Sequence, residues 1–511
     1  MIRNIIWACI SCVILQSVAA QDSTVKDFET GFTQRYAFLS ADVISQPFID
    51  VNSYNIAEAG YRQQKGAYRL SQDASSQRDF YFRTFGTKKV KSFLVSGNFG
   101  YERVMQDSTG YTLRYDLHGA SPYYFYTVKK GHWDVGRYYL DGSISRKILN
   151  EKITVAVAGS YDALNAWRSS DPRPEYFDQR MTFSPALHYN FSKNHVIGIG
   201  ASYNQRKTET AVEYRNDNYS MGSGDYPEYI TYIMLGYGRQ KNQSTRRNIR
   251  SNQQGWGGSA LYRGKFAFGE IVLKGAYKQL DTRFFLPGTA TGEVPLTYGF
   301  FYEDIASAGV NWFYKETDYS INLTADYLNH YGEDLNTEFS ANNYIYTLEQ
   351  IKIRPVYTRY KKGKPGFEVL LDAMLFDLYK VDGSSNVLTD YQVARVLGQG
   401  TKYWYIDNKS FLKTSILAGA QLPVSSEVHT PVQTSAFVQG VVVPDAYYYR
   451  ASSFIGQVDM LYSFPVEKVG SFVRLRAALQ QASLAQDDLL PAVNLPGKER
   501  WSFGVTVGVA L

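Results

Sequence analysis

The chain has 511 residues and a formal charge of +6, a mild cationic excess that carries no nucleic-acid-binding footprint. Its two cysteines, Cys9 and Cys12, both lie within the first 20 residues. The remaining residues can therefore form no disulfide, thiolate metal site or cysteine nucleophile. Tyrosine is abundant, with 43 Tyr beside 29 Phe and 7 Trp. Aromatic side chains that have one apolar end and one polar end, such as tyrosine, are enriched at the two interfaces between a membrane and water.

Residues 1–20 have the organisation of a secretory signal peptide. Arg3 supplies the positive start, residues 5–15 the apolar stretch and residues 17–20 the small-residue cleavage site, so we expect cleavage after Ala20. An uncleaved anchor would need a longer apolar run, and a lipidated Cys12 would interrupt this one. No later stretch approaches the roughly 18 continuous apolar residues of a transmembrane helix.

Residues 21–52 are poorly periodic and are predicted to be a periplasmic extension or a segment folded into a lumen. From residue 53 to 511, segments of about ten residues alternate in polarity, separated in turn by short turns and by long polar loops. This rhythm is typical of a transmembrane barrel with periplasmic turns and extracellular loops. The predicted short turns lie near residues 87–91, 149–152, 192–194, 264–267, 315–318, 361–365, 407–409 and 465–470.

The alternating runs predict which face of each strand meets lipid. Ile321, Leu323 and Ala325 share a face that Tyr319 and Tyr327 bound, the order expected of an apolar band between aromatic girdles. Eight short turns separate nine hairpins, so we predict an all-β fold, a transmembrane antiparallel β-barrel of about 18 strands. Sixteen strands is the alternative, because residues 53–86 and 206–254 are the hardest to divide. Residues 229–238 within the latter form either an extra strand or an ordered loop.

The last eleven residues alternate strictly. Trp501, Phe503, Val505, Val507, Val509 and Leu511 share one face, and small or polar residues occupy the other. The length suits a tilted transmembrane strand. The segment resembles the closing strand of bacterial outer-membrane barrels, although a soluble sandwich can also end on such a strand.

Charged residues occupy the opposite faces of several strands. A Lys or Arg in mid-bilayer would cost about 2–4 kcal/mol, so we predict that these residues line the lumen. Cations outnumber anions among them, which fits a pore favouring anions or neutral polar solutes, or equally an internal salt-bridge network. The lumen-facing candidates are Glu270, Lys274, Lys278, Lys352, Arg354, Glu368, Asp372, Lys413, Asp459, Arg474 and Arg476.

Aromatic clusters in the predicted larger loops are candidate platforms for sugars or protein partners. The alternative is that these rings belong to the outer girdle at the strand ends. The loop aromatic candidates are Tyr123, Tyr124, Tyr126, Tyr403, Trp404, Tyr405, Tyr447, Tyr448 and Tyr449.

No catalytic, metal or cofactor motif stands out. The chain has six histidines, none within a recognisable serine motif, and we find no Gly-x-Ser-x-Gly elbow, His-Glu-x-x-His or phosphate loop. We therefore expect a protein that is not an enzyme, with no cofactor and no metal site.

The exported start, the stretch 60–70 (GYRQQKGAYRL), the Tyr-ended hairpins and the closing strand resemble uncharacterised outer-membrane β-barrels of Bacteroidota. Such barrels are often associated with TonB-dependent uptake systems, but this chain has no room for their plug domain. The resemblance implies a channel or transport component for small polar solutes in the outer membrane. The alternative is a non-conducting accessory subunit of an uptake or assembly complex. The expected partners are outer-membrane lipid, the barrel-assembly machinery and other outer-membrane uptake proteins, with no nucleic acid.

Overall fold

The computed structural model describes residues 32–49, 53–116, 119–220, 224–288, 293–407, 409–431, 435–467, 469–484 and 495–510. Eighteen strands form a single closed antiparallel sheet in which each strand pairs with its neighbours along the chain. The first barrel strand pairs with the last, from Ile56 opposite Ala510 to Gly66 opposite Arg500. The sheet is therefore a barrel without free edges.

The barrel strands include three at the start of the chain, four after the first long loop and eleven after the second. They are β1 (Ser53–Gly66), β2 (Ser76–Val90), β3 (Phe93–Thr109), β5 (Gly131–Ile148), β6 (Ile153–Arg168), β7 (Arg173–Asn190), β8 (His195–Glu213), β11 (Asn248–Phe266), β12 (Gly269–Leu286), β13 (Leu296–Lys315), β14 (Tyr319–Asn336), β15 (Tyr344–Lys361), β16 (Lys364–Asp382), β17 (Val387–Tyr405), β18 (Phe411–His429), β19 (Ser452–Val466), β20 (Val469–Ser483) and β21 (Glu499–Ala510).

The remaining elements lie inside the barrel or in its loops. They are helix α1 (Phe32–Ser40), a 3-10 turn (Gln46–Phe48), strand β4 (Tyr123–Tyr126), helix α2 (Asp217–Ser220), a 3-10 turn (Pro227–Tyr229), strands β9 (Tyr232–Leu235) and β10 (Gln240–Asn242), a π-helical turn (Val438–Val442) and helix α3 (Val443–Arg450). Strands β4, β9 and β10 form a separate three-stranded sheet. The segment 229–238 is thus an ordered loop with its own sheet, not part of the wall. Within the described residues, no helix is both long and apolar enough to cross a membrane.

The prediction of 18 strands is confirmed, and the 16-strand alternative is wrong. All eight predicted short turns fall between consecutive barrel strands, which are joined there by two to five residues. The turn between β15 and β16 shows which backbone conformation lets the chain reverse direction within two residues. Lys362 and Gly363 both have positive φ, 52° and 71°, as a two-residue hairpin turn requires. We call this end of the barrel the short-turn end and the opposite end the long-loop end.

Alternation along the strands separates two environments. On β17, Val396 is 50% exposed on the outer face, whereas Leu397 is 8% exposed on the lumen face. Large aliphatic and aromatic side chains are similarly exposed on most barrel strands, for example Leu140, Ile199, Ile353, Ile416 and Leu475. Water would disfavour so continuous an apolar surface, whereas hydrocarbon accommodates it. Most strands have 14 to 20 residues, more than the 9–11 that cross a bilayer, so they continue beyond the apolar band.

A charge placed on the outer face should test this division. We expect Val396→Arg to lower the free energy of unfolding by about 2–4 kcal/mol, because the guanidinium would face hydrocarbon. The measurement is urea unfolding of the protein folded into lipid vesicles. The control is Gln399→Arg on the lumen face of the same strand, which should cost less than about 1 kcal/mol. Equal losses in both variants would contradict the assignment of faces.

Candidate functional site

The lumen is the candidate functional site, and the sequence-predicted charged residues lie on its wall. Most of them form ion pairs across neighbouring strands. Lys352 lies 3.2 Å from Asp372, and Arg354 lies 3.3 Å from Asp326. Further along the wall, Arg474 and Arg476 share Asp459 at 3.6 and 2.9 Å.

The other predicted wall residues have different neighbours. Glu368 accepts a hydrogen bond from Thr358 at 3.3 Å. The ammonium of Lys413 lies 5.6 Å from the centre of the Tyr403 ring. Lys278 lines two cavities described below. Glu270 and Lys274 are contacted by the segment that precedes the barrel.

The segment 32–49, which we call the N-terminal segment, is folded into the lumen near the short-turn end. Its apolar side chains Phe38, Leu39, Val43, Ile44, Phe48 and Ile49 pack against small and aliphatic wall residues, namely Ala156, Ala186, Val196, Leu261 and Val272. These wall residues are close to the turns after β5, β7 and β11. Small side chains on the wall leave room for the segment, and its apolar face is thereby removed from water.

Polar contacts fix the N-terminal segment to the wall. Arg35 donates to Glu270 at 2.5 Å, and Arg263 holds the other carboxylate oxygen at 2.7 Å. Lys274 reaches Asp42 at 2.7 Å. The buried His188 donates from Nε2 to the carbonyl oxygen of Ile44 at 2.6 Å, while its ring meets that of Phe48 edge-on at 5.2 Å.

The long-loop end is closed by a second structure, which we call the loop cap: strands β4, β9 and β10 with residues 438–450. The largest buried hydrophobic cluster of the described chain lies here. Phe125, Ile233, Met234 and Leu235 are fully buried within it. Wall residues from seven strands, β8, β11, β12, β13, β15, β16 and β17, complete the cluster, including Phe301 and Tyr391. The cap therefore fills the long-loop end of the lumen with a dry core rather than standing above it.

Two buried aspartates at the ends of wall strands hold the cap. Asp334 of β14 accepts a hydrogen bond from Tyr123 of β4 at 2.6 Å and from the backbone N–H groups of Asn343 and Tyr344. Asp382 of β16 accepts from the backbone N–H groups of Tyr237 and Arg239, at 2.7 and 2.9 Å, in the turn between β9 and β10. A buried carboxylate bonded by several N–H donors is satisfied without a cation. Sequence reasoning missed both residues, because no local pattern distinguishes them from other inward-facing acids.

The aromatic candidates are distributed between the cap and the wall. Tyr123, Tyr124 and Tyr126 are buried in the cap, at 2%, 7% and 0% exposure, so they form no exposed platform. Tyr448 stacks on Tyr68 at 4.6 Å, and Tyr449 on Tyr391 at 4.5 Å. Tyr447 is partly buried against the cap cluster.

The cluster at 403–405 is not in a loop, which corrects the sequence-based placement. These three residues are the last of strand β17, at the short-turn end of the barrel. Because side chains alternate along a strand, their rings lie on both faces of the wall. Tyr403 is buried beside Phe411, and Tyr405 donates to the carbonyl oxygen of Pro365 at 2.8 Å. Trp404 points outward and is 54% exposed.

The lumen and the loops at its outer end contain cavities with charged lining residues, which we label from the long-loop end. Cavity A, about 420 Å³, lies among the loops and is lined by Lys65, Arg69, Lys130 and Gly440. Cavity B, about 520 Å³, is lined by Arg69, Asp116, Asp178, Arg180 and Arg500. Cavity C, about 420 Å³, is lined by Arg114, Asp116, Arg180, Arg206 and Lys278. Cavity D, about 740 Å³, and cavity E, about 270 Å³, adjoin the N-terminal segment at Ser40 and Gln46.

Adjacent cavities share lining residues. Arg69 lines both A and B, and Asp116 and Arg180 line both B and C. Lys278 lines both C and D. The cavities therefore form a series in which each shares part of its lining with the next.

Asp116, in the loop between β3 and β4, is one of these shared residues and forms two ion pairs. Its carboxylate lies 2.5 Å from Arg206 and 3.3 Å from Arg180. Burial alone would raise its pKa, but the charges of Arg206, Arg114 and Arg180 lower the pKa of Asp116 to about 2. Asp116 is therefore a permanent anion at neutral pH.

The five histidines within the described residues have partners other than serine. His132 contacts Asp107 and His330 contacts Glu303, at 2.8 and 2.9 Å. His195 contacts the Tyr262 hydroxyl and His429 the Asn386 amide, while His188 holds the N-terminal segment. His118 lies outside the described residues.

Over the described ranges, no group of three or more His, Cys, Asp or Glu residues is arranged to hold a metal ion.

An antiparallel barrel closed on itself, with an apolar outer face and a charged lumen, is a barrel of the outer-membrane type. The chain belongs to the Family of unknown function (DUF6850), whose sequence profile matches residues 44–511. Comparison with curated proteins finds no match.

Comparison with solved structures finds matches at low identity. The ferric preacinetobactin receptor BauA of Acinetobacter baumannii is 8% identical with a TM-score of 0.39, over 89% of this chain and 80% of that one. The alcaligin outer-membrane receptor FauA of Bordetella pertussis is 9% identical with a TM-score of 0.40, over 89% and 76%. The copper transporter OprC is 8% identical with a TM-score of 0.38, over 90% and 81%.

Removing one of the buried aspartates should open the cap without unfolding the barrel. Asp382→Ala leaves buried donors around residues 237 and 239 without their acceptor, at about 1–3 kcal/mol for each group. We expect the segment 232–242 to become sensitive to added protease while the barrel still migrates as folded on an unheated gel. The control is Asp407→Ala, which removes an acceptor of two backbone N–H groups at the short-turn end. Cleavage of 232–242 in both variants, or in neither, would contradict the anchoring role.

The cap should also respond to pH through Asp445 on α3, whose carboxylate accepts from the backbone N–H of Ser71 at 2.8 Å. Burial raises the pKa of Asp445 to about 6, against the hydrogen bonds of Ser71 and the charge of Lys380. Because the pKa is raised in the folded state, the cap is most stable below the ordinary pKa near 4 and loses stability as pH rises through about 6.

We expect hydrogen-exchange protection of α3 to fall by about 1–3 kcal/mol between about pH 4.5 and about pH 7.5, after correction for intrinsic rates. Asp445→Asn should show no such fall, because an amide does not ionise and its oxygen can still accept from Ser71. The same slope in both proteins would show that another group is responsible.

Proposed function

We propose that this protein is an outer-membrane transport component for small polar solutes, closed at rest by its own chain. The observation that carries the proposal is the series of cavities with charged lining residues between the N-terminal segment and the loop cap. Their individual volumes, about 420 to 740 Å³, fall within the range of small-molecule sites. A barrel needing only mechanical filling would be expected to pack its interior densely.

The distribution of side chains supports placement in the outer membrane. The outward face is apolar on most barrel strands, whereas ion pairs such as Lys352–Asp372 lie on the inward face. In bacterial outer-membrane barrels short turns face the periplasm and long loops the exterior. The N-terminal segment would then close the periplasmic side and the loop cap the outer side. Export through a signal peptide at residues 1–20, insertion by the barrel-assembly machinery and contact with outer-membrane lipid follow from this placement.

The two closures differ in how they are held, which supports gating rather than permanent sealing. The loop cap is fixed by a dry aromatic core and by carboxylates that accept several hydrogen bonds. The N-terminal segment is held by a smaller apolar cluster and by a few polar contacts at Glu270, Lys274 and His188. Local opening draws on the least stable parts of a structure, so the N-terminal segment is the part expected to move first.

The test is conductance in planar lipid bilayers. The wild-type protein should be closed, with at most brief openings. An inner-release variant (Glu270→Gln, His188→Ala and Lys274→Met) removes the polar contacts of the N-terminal segment, and a cap-release variant (Asp334→Ala and Asp382→Ala) removes the anchors of the cap. We expect the combined variant to conduct steadily and each release variant to conduct less.

The control substitutes the exposed pair Lys147 and Glu151, 3.0 Å apart at the short-turn end, by glutamine at both positions. This variant should remain as closed as the wild type. A stable wild-type conductance would show that the two segments do not close the lumen. A combined variant that is folded by gel mobility yet silent would remove the transport proposal.

That last outcome would favour the second candidate, a non-conducting accessory subunit of an uptake or assembly complex. The observation in its favour is that the lumen is filled at both ends by the chain itself. Such a subunit should co-purify with other outer-membrane uptake proteins after mild detergent extraction. A consistently solitary monomer would count against it.

A further inference from the structure

The boundary between cavities B and C is built from groups of opposite charge on two different parts of the fold. Arg180 of β7 and Arg206 of β8 belong to the wall, whereas Asp116 belongs to the loop that leads into the cap. Arg206 is also held by Asp178 of the wall, with contacts of 2.9 Å from Nε and 2.7 Å from Nη2. Asp178 therefore orients the guanidinium of Arg206, and the carboxylate of Asp116 contacts Nη2 of the same guanidinium.

Arg114 adds a third guanidinium from the cap side. It donates to the carbonyl oxygens of Ser121 and Gly119, at 3.1 and 3.3 Å, and stacks over the Tyr124 ring at 4.0 Å. Its position is thus set by the cap itself rather than by an acidic partner in the wall.

Cavity C has more positive than negative lining groups. Arg250 and Glu303 are matched by partners, Glu209 at 2.8 Å and His330 at 2.9 Å. Within the described residues the side chain of Lys278 makes no hydrogen bond or ion pair, yet it lines this cavity. The charged lining groups are Arg114, Arg180, Arg206, Arg250 and Lys278 against Asp116 and Glu303.

Cavity A, the first cavity on the long-loop side, has a compatible charge. Cavity A is lined by Lys65, Arg69 and Lys130 and by no acidic residue among its described lining. Burial, with the nearby charge of Arg69, lowers the pKa of Lys130, as expected where cations are held close together. Arg69 also lines cavity B, whose lining carries both signs, namely Arg69, Arg137, Arg180 and Arg500 against Asp73, Asp116, Asp162 and Asp178. An anion that enters among the loops therefore meets the cations of cavity A first and the arginines of cavity B next, on the way to cavity C.

We propose that cavity C binds a small anion, a carboxylate or a phosphate, whose oxygens take the position at Arg180 and Arg206 that Asp116 holds in this structure. Guanidinium groups match the planar oxygens of both ligand classes and bind them with charge-assisted hydrogen bonds. As an assignment of substrate class this rests on the transport function proposed above, although the binding can be measured without transport.

Binding at this position loosens the cap, because the incoming anion competes with Asp116 for the same arginines. Released from the wall, Asp116 no longer ties the loop before β4 to β7 and β8. The coupling is reciprocal, so whatever frees Asp116 raises the affinity for the anion. We place the anion site at cavity C and not at cavity D, which lies nearer the N-terminal segment. Acidic residues outnumber basic ones in the lining of cavity D, with Asp42, Asp141 and Asp326 against Lys274 and Lys278.

The experiment is titration calorimetry on the detergent-solubilised full chain with inorganic phosphate and, separately, succinate. Asp116→Asn removes the resident charge and should tighten binding of the preferred anion by about tenfold or more. The anion with the larger gain identifies the ligand class. Arg180→Gln in the Asp116→Asn background should cancel the gain, and Arg180→Lys should restore part of it.

The matched control is Asp326→Asn, which removes a carboxylate that lines cavity D and faces Arg354 at 3.3 Å. This variant should bind both anions as the wild type does. In the wild type, the preferred anion should also accelerate hydrogen exchange in residues 119–126, and in Asp116→Asn that acceleration should be absent.

No gain in Asp116→Asn, or an equal gain in Asp326→Asn, would overturn the proposal. The result is separate from that of the conductance experiment. Anion binding in a protein whose combined release variant stays silent would keep this site and remove transport. Conductance without anion binding would keep the transport proposal and remove this site.

Discussion

The structure depends on one constraint: within hydrocarbon no backbone N–H or C=O group can be left without a partner. An antiparallel sheet meets this constraint only when its first and last strands pair, as β1 and β21 do over eleven residue pairs. Closure with 18 strands then encloses a wide lumen. Barrels of this size ordinarily leave an aqueous channel, because wall side chains do not reach across. What distinguishes this chain is how it fills that space.

The two closures use different chemistry at the two ends. At the short-turn end a helical segment buries apolar side chains against small wall residues and is held by a buried ion pair, Arg35 with Glu270. Such a pair gains little net stability, since desolvation offsets most of the attraction, but it fixes position strongly. At the long-loop end a three-stranded sheet supplies a dry aromatic core. The hydroxyl of Tyr123 in this sheet donates to Asp334, and the backbone N–H groups of Tyr237 and Arg239 in its β9–β10 turn donate to Asp382.

Between these closures the lumen is neither a dry core nor an open pore. Its charges are mostly paired along the wall, which keeps the interior polar without a large net field. Asp116 differs from these wall pairs because it joins a loop to arginines of the wall, as the pair of Arg35 and Glu270 joins the N-terminal segment to the wall. In the binding proposed above, a solute anion replaces the loop carboxylate at these arginines while the wall strands keep their own pairing.

The sequence by itself determined the eight short turns, the count of 18 strands and the separation of faces. Period-two alternation is local, and the bilayer penalises its violation at every strand, so residues such as Val396, Lys352 and Arg354 carry their orientation in the pattern around them. Only the tertiary structure decided what occupies the lumen. Tyr123 bonds to Asp334 across 211 residues, Arg206 to Asp116 across 90 and Arg35 to Glu270 across 235. No local period records such contacts, because they depend on which loops fold inward once the barrel has closed. For the same reason the tyrosines at 123–126 looked like an exposed loop cluster and lie in the core of the cap.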